Sequence, residues 1–186
     1  TRDVLAALPH GVVIISGTNG KTTTTKMTVE LLESQGFRVF TNRTGSNFAR
    51  GVTAAILAEI DYRGNLDADI AVLELDEAHA VKFVDIVPPR YSLLLNVMRD
   101  QLDRFGEIDT TARMLKHIAK ATTHTVVLNR EDPRLSPIAE ALSSRTHVEY
   151  FGLSTQLRPK FPSDDDMRGT VKEAESHDAD VILKSF

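Results

Sequence analysis

The chain has no cysteine among its 186 residues. That absence excludes disulfides, thiolate metal sites and a cysteine nucleophile together, and it suits a reducing, cytoplasmic setting. No apolar run approaches the roughly 20 residues that cross a bilayer, and the first residues lack a signal-peptide pattern. Excess positive charge is missing too: the formal net charge is -4. A broad nucleic-acid or membrane footprint is therefore disfavoured, because such surfaces need clustered Lys and Arg. The six histidines form no close metal-binding pair, and no Gly-x-Ser-x-Gly nucleophile elbow occurs. What these absences leave is catalysis by bound nucleotide and metal.

What is present is an alternation. Strand-like runs at 11–16, 38–42, 69–75, 91–97, 124–129 and 147–151 are separated by helix-like segments at 22–35, 47–60, 77–87, 108–122 and 134–143. Strand, helix, strand repeated in this way predicts a doubly wound α/β domain on a mostly parallel sheet, which the stretch from Val12 to Lys26 makes one of the phosphate-loop NTPase kind. Gly36 is placed as a helix C-terminal cap, and Pro88-Pro89 as a helix stop. Met27, Leu31 and Leu32 read as one apolar helix stripe. The expected organisation is one α/β domain over 1–152, a polar insertion or linker over 153–178, which includes "FPSDDDMRG", and a further strand starting within 179–186.

The most informative stretch is "VVIISGTNGKTTTTK", from Val12 to Lys26. A full phosphate loop reads G-x-x-x-x-G-K-[ST], and Ile15 stands where its first glycine would be. The context is nonetheless right, with a β-branched run before it and a helical segment after it. In that geometry backbone N–H groups from Gly17 to Thr22 converge on a helix N-terminus, which favours anionic oxygens. Lys21 would sit on the β- and γ-phosphates, and the Thr22 hydroxyl would ligate Mg²⁺. A second metal acid is expected from "DIAVLELDEA". Glu74 suits the metal at the strand end, while Asp76 or Glu77 better suits capping of the following helix. The loops "TNRTGSN" and "NVMRDQLDRFGEID" fall at strand carboxyl ends, where open α/β sheets bind ligands.

These residues together resemble the Mur ligase family, whose central domain opens with a shortened loop of the form GTNGKT. A strand-end Glu, an N-x-x-x-D-H-L-D-like segment at 96–106 and an N-x-D-D-P-like turn at 129–133 complete the likeness over about residues 10 to 151. The resemblance implies ATP and Mg²⁺ as cofactors. It implies nucleotide binding by Gly17, Thr18, Asn19, Gly20, Lys21, Thr22, Thr23, Asn129 and Asp132, and metal binding by Thr22 and Glu74. Catalytic roles fall to Lys21, Glu74 and Asp100, and substrate contacts to Asn42, Thr44, Gly45, Asn47, Asn96, Gln101 and Arg104.

Within the family the motifs look most like the branch that amidates the α-carboxylate of D-glutamate in the lipid II stem peptide through an acyl phosphate. Ammonia there comes from a GatD-like glutaminase subunit, and lipid II is met at the membrane surface. The alternatives are a ligase that adds an amino acid to a UDP-muramyl peptide or a folate, and a nucleotide-binding module without catalysis. Gln101 replaces the family's second-metal His, so one Mg²⁺ is expected. Without cysteines, the four-cysteine zinc ribbon that many members carry near 153–178 is absent. Lys116, near the place of a carbamoylated lysine in some members, reads as a helix-surface lysine. The family's C-terminal domain, which holds most of the glutaminase contact, is expected to lie outside this chain, leaving the isolated piece without turnover.

Overall fold

A strand buried on both faces must be apolar throughout, and this requirement selects the centre of the sheet. The computed structural model describes residues 1–42, 49–98, 107–154, 157, 160 and 179–183. Its elements are α1 (Arg2–Ala6), β1 (Val12–Ser16), α2 (Lys21–Ser34), β2 (Val39–Thr41), α3 (Ala49–Glu59), β3 (Ile70–Glu74) and α4 (Glu77–Val84). They continue with β4 (Tyr91–Leu94), α5 (Glu107–Ala121), β5 (Thr125–Asn129), a 3₁₀ turn (Ser136–Ala141), β6 (His147–Leu153) and β7 (Val181–Leu183). One seven-stranded sheet has the order β2-β3-β1-β4-β5-β6-β7. Its paired strands run parallel. Every residue of β3 is buried, as its unbroken apolar run requires.

Neighbouring residues on a strand point to opposite faces, and the two central isoleucines show it. Ile14 joins the larger core with Leu5, Phe83, Leu115 and Ile118, so α1, α4 and α5 cover that face. Ile15 joins a smaller core with Val29 and Leu32 of α2 on the other face. Helices on both faces of a parallel sheet make this the doubly wound α/β domain that the alternation predicted. From β1 the chain goes out to β2 at the sheet edge, returns to β3 between β2 and β1, then crosses to β4 on the far side of β1. The strand order therefore reverses at β1 and β4, whose carboxyl ends open the crevice. Among the described residues no helix is long and apolar enough to cross a membrane.

Several local expectations are corrected. The stripe expected on α2 is split: Leu32 packs inward with Val29 and the buried Thr25, whereas Met27 and Leu31 are each 60% exposed. The inward face thus follows i, i+4, i+7 from Thr25, and Leu31 falls beside it. α1 lies ahead of the first expected strand. Residues 136–141 form a 3₁₀ turn rather than an α-helix, with a proline at its start. β7 pairs with β6 in the register Phe151 to Val181. Most of the expected insertion, residues 161–178, lies outside the described residues. Gly36 is confirmed as the cap: its φ is 89°, its N–H donates to Glu33 O, and Phe37 N–H donates to Leu32 O.

The register of β2 on β3 is clamped where both strands begin. Arg38 donates from its backbone N–H and its Nε to Asp69 Oδ2, at 2.8 and 3.1 Å, and its guanidinium also pairs with Asp67. The guanidinium, followed by the Arg38 N–H, holds the Asp69 carboxyl down at about 2. A depressed carboxylate stabilises the fold above its unfolded value, near 4, and that contribution disappears as pH falls through the folded value. Arg38→Ala, which removes the guanidinium and keeps the backbone N–H, should therefore raise Asp69 toward the ordinary carboxylate range in an NMR titration. It should also lower the unfolding midpoint at neutral pH, with the gap to wild type closing between about pH 4 and pH 2. An unmoved Asp69 titration would show that the clamp does not act through this pair.

Candidate functional site

β1 delivers the chain to the crevice at Ser16, and two glycines then turn it into α2. Gly17 has φ 138°, and a Cβ there would come within 3.0 Å of Asn96 N. Gly20 has φ 85° and is the N-cap of α2. Both positions demand glycine, for close approach and for left-handed backbone respectively. The first helical bond runs from Thr24 N–H to Gly20 O, so the N–H groups of residues 20–23 have no partner within the helix.

The loop before them is differently engaged. Thr18 N–H donates to Asn96 O at 3.0 Å, and Asn19 N–H donates to Asn96 Oδ1 at 2.9 Å. Asn96 Nδ2 returns a bond to Asn19 O at 3.0 Å, and Met98 N–H donates to Thr18 Oγ1 at 3.1 Å. The cradle expected over Gly17 to Thr22 is thereby narrowed. Residues 18 and 19 are strapped to the segment after β4, and the start of α2 offers an anion the donors of residues 20–23. Lys21 Nζ folds over the loop, donating to Gly17 O at 2.5 Å and Thr18 O at 3.1 Å.

Thr22, the second residue of α2, donates its hydroxyl to Glu74 Oε1 at 2.8 Å. Glu74 ends β3 and is buried. Its main chain is held on one side by Asn42, whose Nδ2 donates to Glu74 O at 2.8 Å and whose Oδ1 accepts from Glu74 N–H at 2.9 Å. On the other side Ser16 Oγ donates to Leu75 O at 2.9 Å. Asp76 caps α4 instead, accepting from Ala78 N–H at 3.1 Å, as the capping argument expected. A buried carboxylate touching a threonine hydroxyl supplies two hard oxygen donors. That set fits Mg²⁺, which takes one or two carboxylates beside phosphate oxygens and keeps several waters. Among the described residues no group of three or more His, Cys, Asp or Glu could hold a metal alone.

The turn after β5 braces the strap from behind. Asn129 Nδ2 donates to Leu95 O at 2.8 Å, while its Oδ1 accepts from Glu131 N–H at 2.9 Å. Asp132 is buried; its Oδ2 accepts from Val97 N–H at 2.6 Å and its Oδ1 from Arg134 N–H at 2.9 Å. Burial pushes this carboxyl above its ordinary range, against the pull of the N–H donors from Val97, Arg134 and Leu135. Arg130 lies over the Tyr150 ring at 4.2 Å, and Tyr150 donates its hydroxyl to Ser136 O at 3.1 Å.

The structure therefore brings Lys21, Thr22 and Glu74 to one place. It gives Asn42, Asn96, Asn129 and Asp132, all expected to contact ligands, hydrogen bonds to the protein's own backbone. Thr44, Gly45, Asn47, Asp100, Gln101 and Arg104 lie outside the described residues. Ser16 and the Arg130–Tyr150 pair carried no signal in the sequence that would have marked them.

Comparison with known proteins agrees with this geometry. Residues 15–183 match the Mur ligase middle domain. Over 162 residues, 85% of this chain, the sequence is 38% identical to the lipid II isoglutaminyl synthase (glutamine-hydrolyzing) subunit MurT of Streptococcus pneumoniae, of which 35% is covered. It is 32% identical over 141 residues, 75% of this chain, to the UDP-N-acetylmuramoylalanine–D-glutamate ligase of Thermus thermophilus, of which 31% is covered. The crystal structure of MurF from Acinetobacter baumannii superposes with a TM-score of 0.66 at 26% identity, covering 81% of this chain and 32% of that one. The chain thus spans about a third of the length of these relatives.

Charge-assisted hydrogen bonds are worth roughly 1.5–3 kcal/mol each, so Lys21→Ala should weaken ATP binding at least about tenfold by calorimetry. Asn96→Ala removes the two bonds that hold the Asn19 peptide, and should weaken the same binding several-fold. Equal affinities in wild type and Lys21→Ala would end the reading of residues 17–23 as a phosphate loop.

Proposed function

The chain belongs to the Mur ligase family as a middle domain, and from that premise we propose that it is the ATP-binding part of an amide-forming ligase acting on lipid II. Members of the family are ATP-dependent ligases. The reaction proposed for the whole protein is amidation of the D-glutamate α-carboxylate to D-isoglutamine, with ammonia from a glutaminase partner. The glutamine-hydrolyzing synthase subunit at 38% identity supports this choice over other acceptors.

The observation that carries the reading is the contact of Thr22 with Glu74 at the start of α2. In the proposed complex the N–H groups of residues 20–23 receive phosphate oxygens, and Lys21 swings from Gly17 O and Thr18 O onto the β- and γ-phosphates. Thr22 and Glu74 would hold Mg²⁺, which supplies neutralisation of the phosphate charge. ATP phosphorylates the carboxylate to an acyl phosphate and leaves as ADP; ammonia then displaces phosphate to form the amide. Little covalent work falls to the protein in such a transfer, so placement and charge supply most of the rate. The substrate contacts proposed here come from the 42–47 and 96–104 loops, with Asp100 in a catalytic role. A cytoplasmic location follows from the use of ATP and a glutaminase.

Mass spectrometry of lipid II, treated with the full-length parent protein and its glutaminase, tests the proposal. The expected product has an amide NH₂ in place of a carboxyl OH, and so a slightly lower mass. A product heavier by a whole amino-acid residue would instead support an amino-acid-adding ligase, as the 32% relative is named.

A further inference from the structure

The β2–β3 ladder runs out just short of the site. Its last backbone pair is Thr41 with Val72, two residues before Glu74. Past that point the next rung is made by a side chain. Asn42 is buried, 6% exposed, and its amide both donates to Glu74 O and accepts from Glu74 N–H. A primary amide carries the same donor and acceptor as a peptide group, so it can replace a missing strand residue. The opposite flank is closed by β1, where Ile15 pairs with Glu74, Leu75 N–H donates to Ile15 O at 3.2 Å, and Ser16 Oγ donates to Leu75 O. The Glu74 main chain is thus fixed on both sides, and on the β2 side, among the described residues, the fixing group is the Asn42 amide.

We infer that Asn42 is a positioning residue for the metal-binding carboxylate: its amide sets where Glu74 Oε1 stands relative to Thr22 Oγ1, and through that the affinity of the site for a divalent cation. The inference rests on the reading of Thr22 and Glu74 as the Mg²⁺ site. Asn42 need not touch cation, nucleotide or acceptor to act. Its two bonds go to the main chain of the residue that does. Strand ends are otherwise free to shift, and a ligand carboxylate on a loose strand end would lose its match to the helix-borne hydroxyl. Groups that orient a metal ligand from behind commonly carry a large part of its affinity.

The substitution Asn42→Asp keeps the acceptor for Glu74 N–H but turns a carboxylate oxygen toward Glu74 O, where a donor is needed. ADP affinity is measured by calorimetry in EDTA and again in saturating Mg²⁺; the ratio is the metal-coupled gain. The expected result is a loss of about tenfold in that gain, with affinity in EDTA within a factor of two of wild type. No further loss is expected when Asn42→Asp is combined with Glu74→Gln. An equal loss in EDTA and in Mg²⁺ would reduce Asn42 to a structural role, and an unchanged gain would remove it from the site; either overturns the inference. Should Asn42→Asp fail to fold, Asn42→Ser, which buries no charge and reaches neither group, takes its place with the same expectations. Failure of both to fold makes Asn42 a folding residue and also overturns it. A wild-type protein without any metal-coupled gain, or one whose gain survives Glu74→Gln, would instead bring down the reading of the metal site itself.

Discussion

A parallel sheet cannot simply stop. Where strands diverge into loops at their carboxyl ends, backbone N–H and C=O groups lose their rungs, and each one left buried and unpaired costs about 1–3 kcal/mol. Here side chains replace the rungs: Asn42 on Glu74, Ser16 on Leu75, Asn96 on Asn19, Asn129 on Leu95 and Asp132 on Val97. Asparagine suits this task because its amide copies the peptide group. The result is a sheet edge whose loops are held at their roots, with the helix N-terminus and the Glu74 carboxylate facing one crevice.

The segment after β4 is shared by three parts of the site. Its Asn96 and Met98 hold the loop before α2, its Leu95 O is held by Asn129, and its Val97 N–H is held by Asp132. A shift of the 129–132 turn would therefore pull on the phosphate loop through a chain of backbone bonds. Such coupling keeps the loop's placement fixed, and small misalignments of groups around a bound ligand are costly. It also explains the raised Asp132 carboxyl: a buried position is needed to reach Val97, and burial disfavours charge.

What the sequence disclosed follows from how far each signal reaches along the chain. The strands and most helices were legible because apolar runs and periodicity are local, and the capping role of Asp76 was legible because capping acts within a few residues. The short α1 and the split face of α2 were not. A five-residue helix has too few positions for a period, and Leu31 and Leu32 are equally apolar until packing chooses between them. The bracing bonds of the asparagines were not legible, for a deeper reason. An exposed-looking Asn at a strand end has the chemistry of a ligand donor, and only the fold reveals that its partner is backbone 32 or 77 residues away.

The missing first glycine of the phosphate loop has a structural consequence of the same kind. Ile15 is fully buried in β1, paired with Glu74 on one side and Leu93 on the other, so the strand continues where a longer loop would already have turned. The turn is left to four residues, 17–20, two of whose N–H groups are taken by Asn96. Anion donors must then come from the first turn of α2 itself. Thr22 lies in that turn, at the positive end of the helix dipole, with its hydroxyl in contact with Glu74. The pairing of Ile15 with Glu74 brings the carboxylate level with the last turn of strand before the loop, so the shortened motif and the strand-end acid work as one geometric unit.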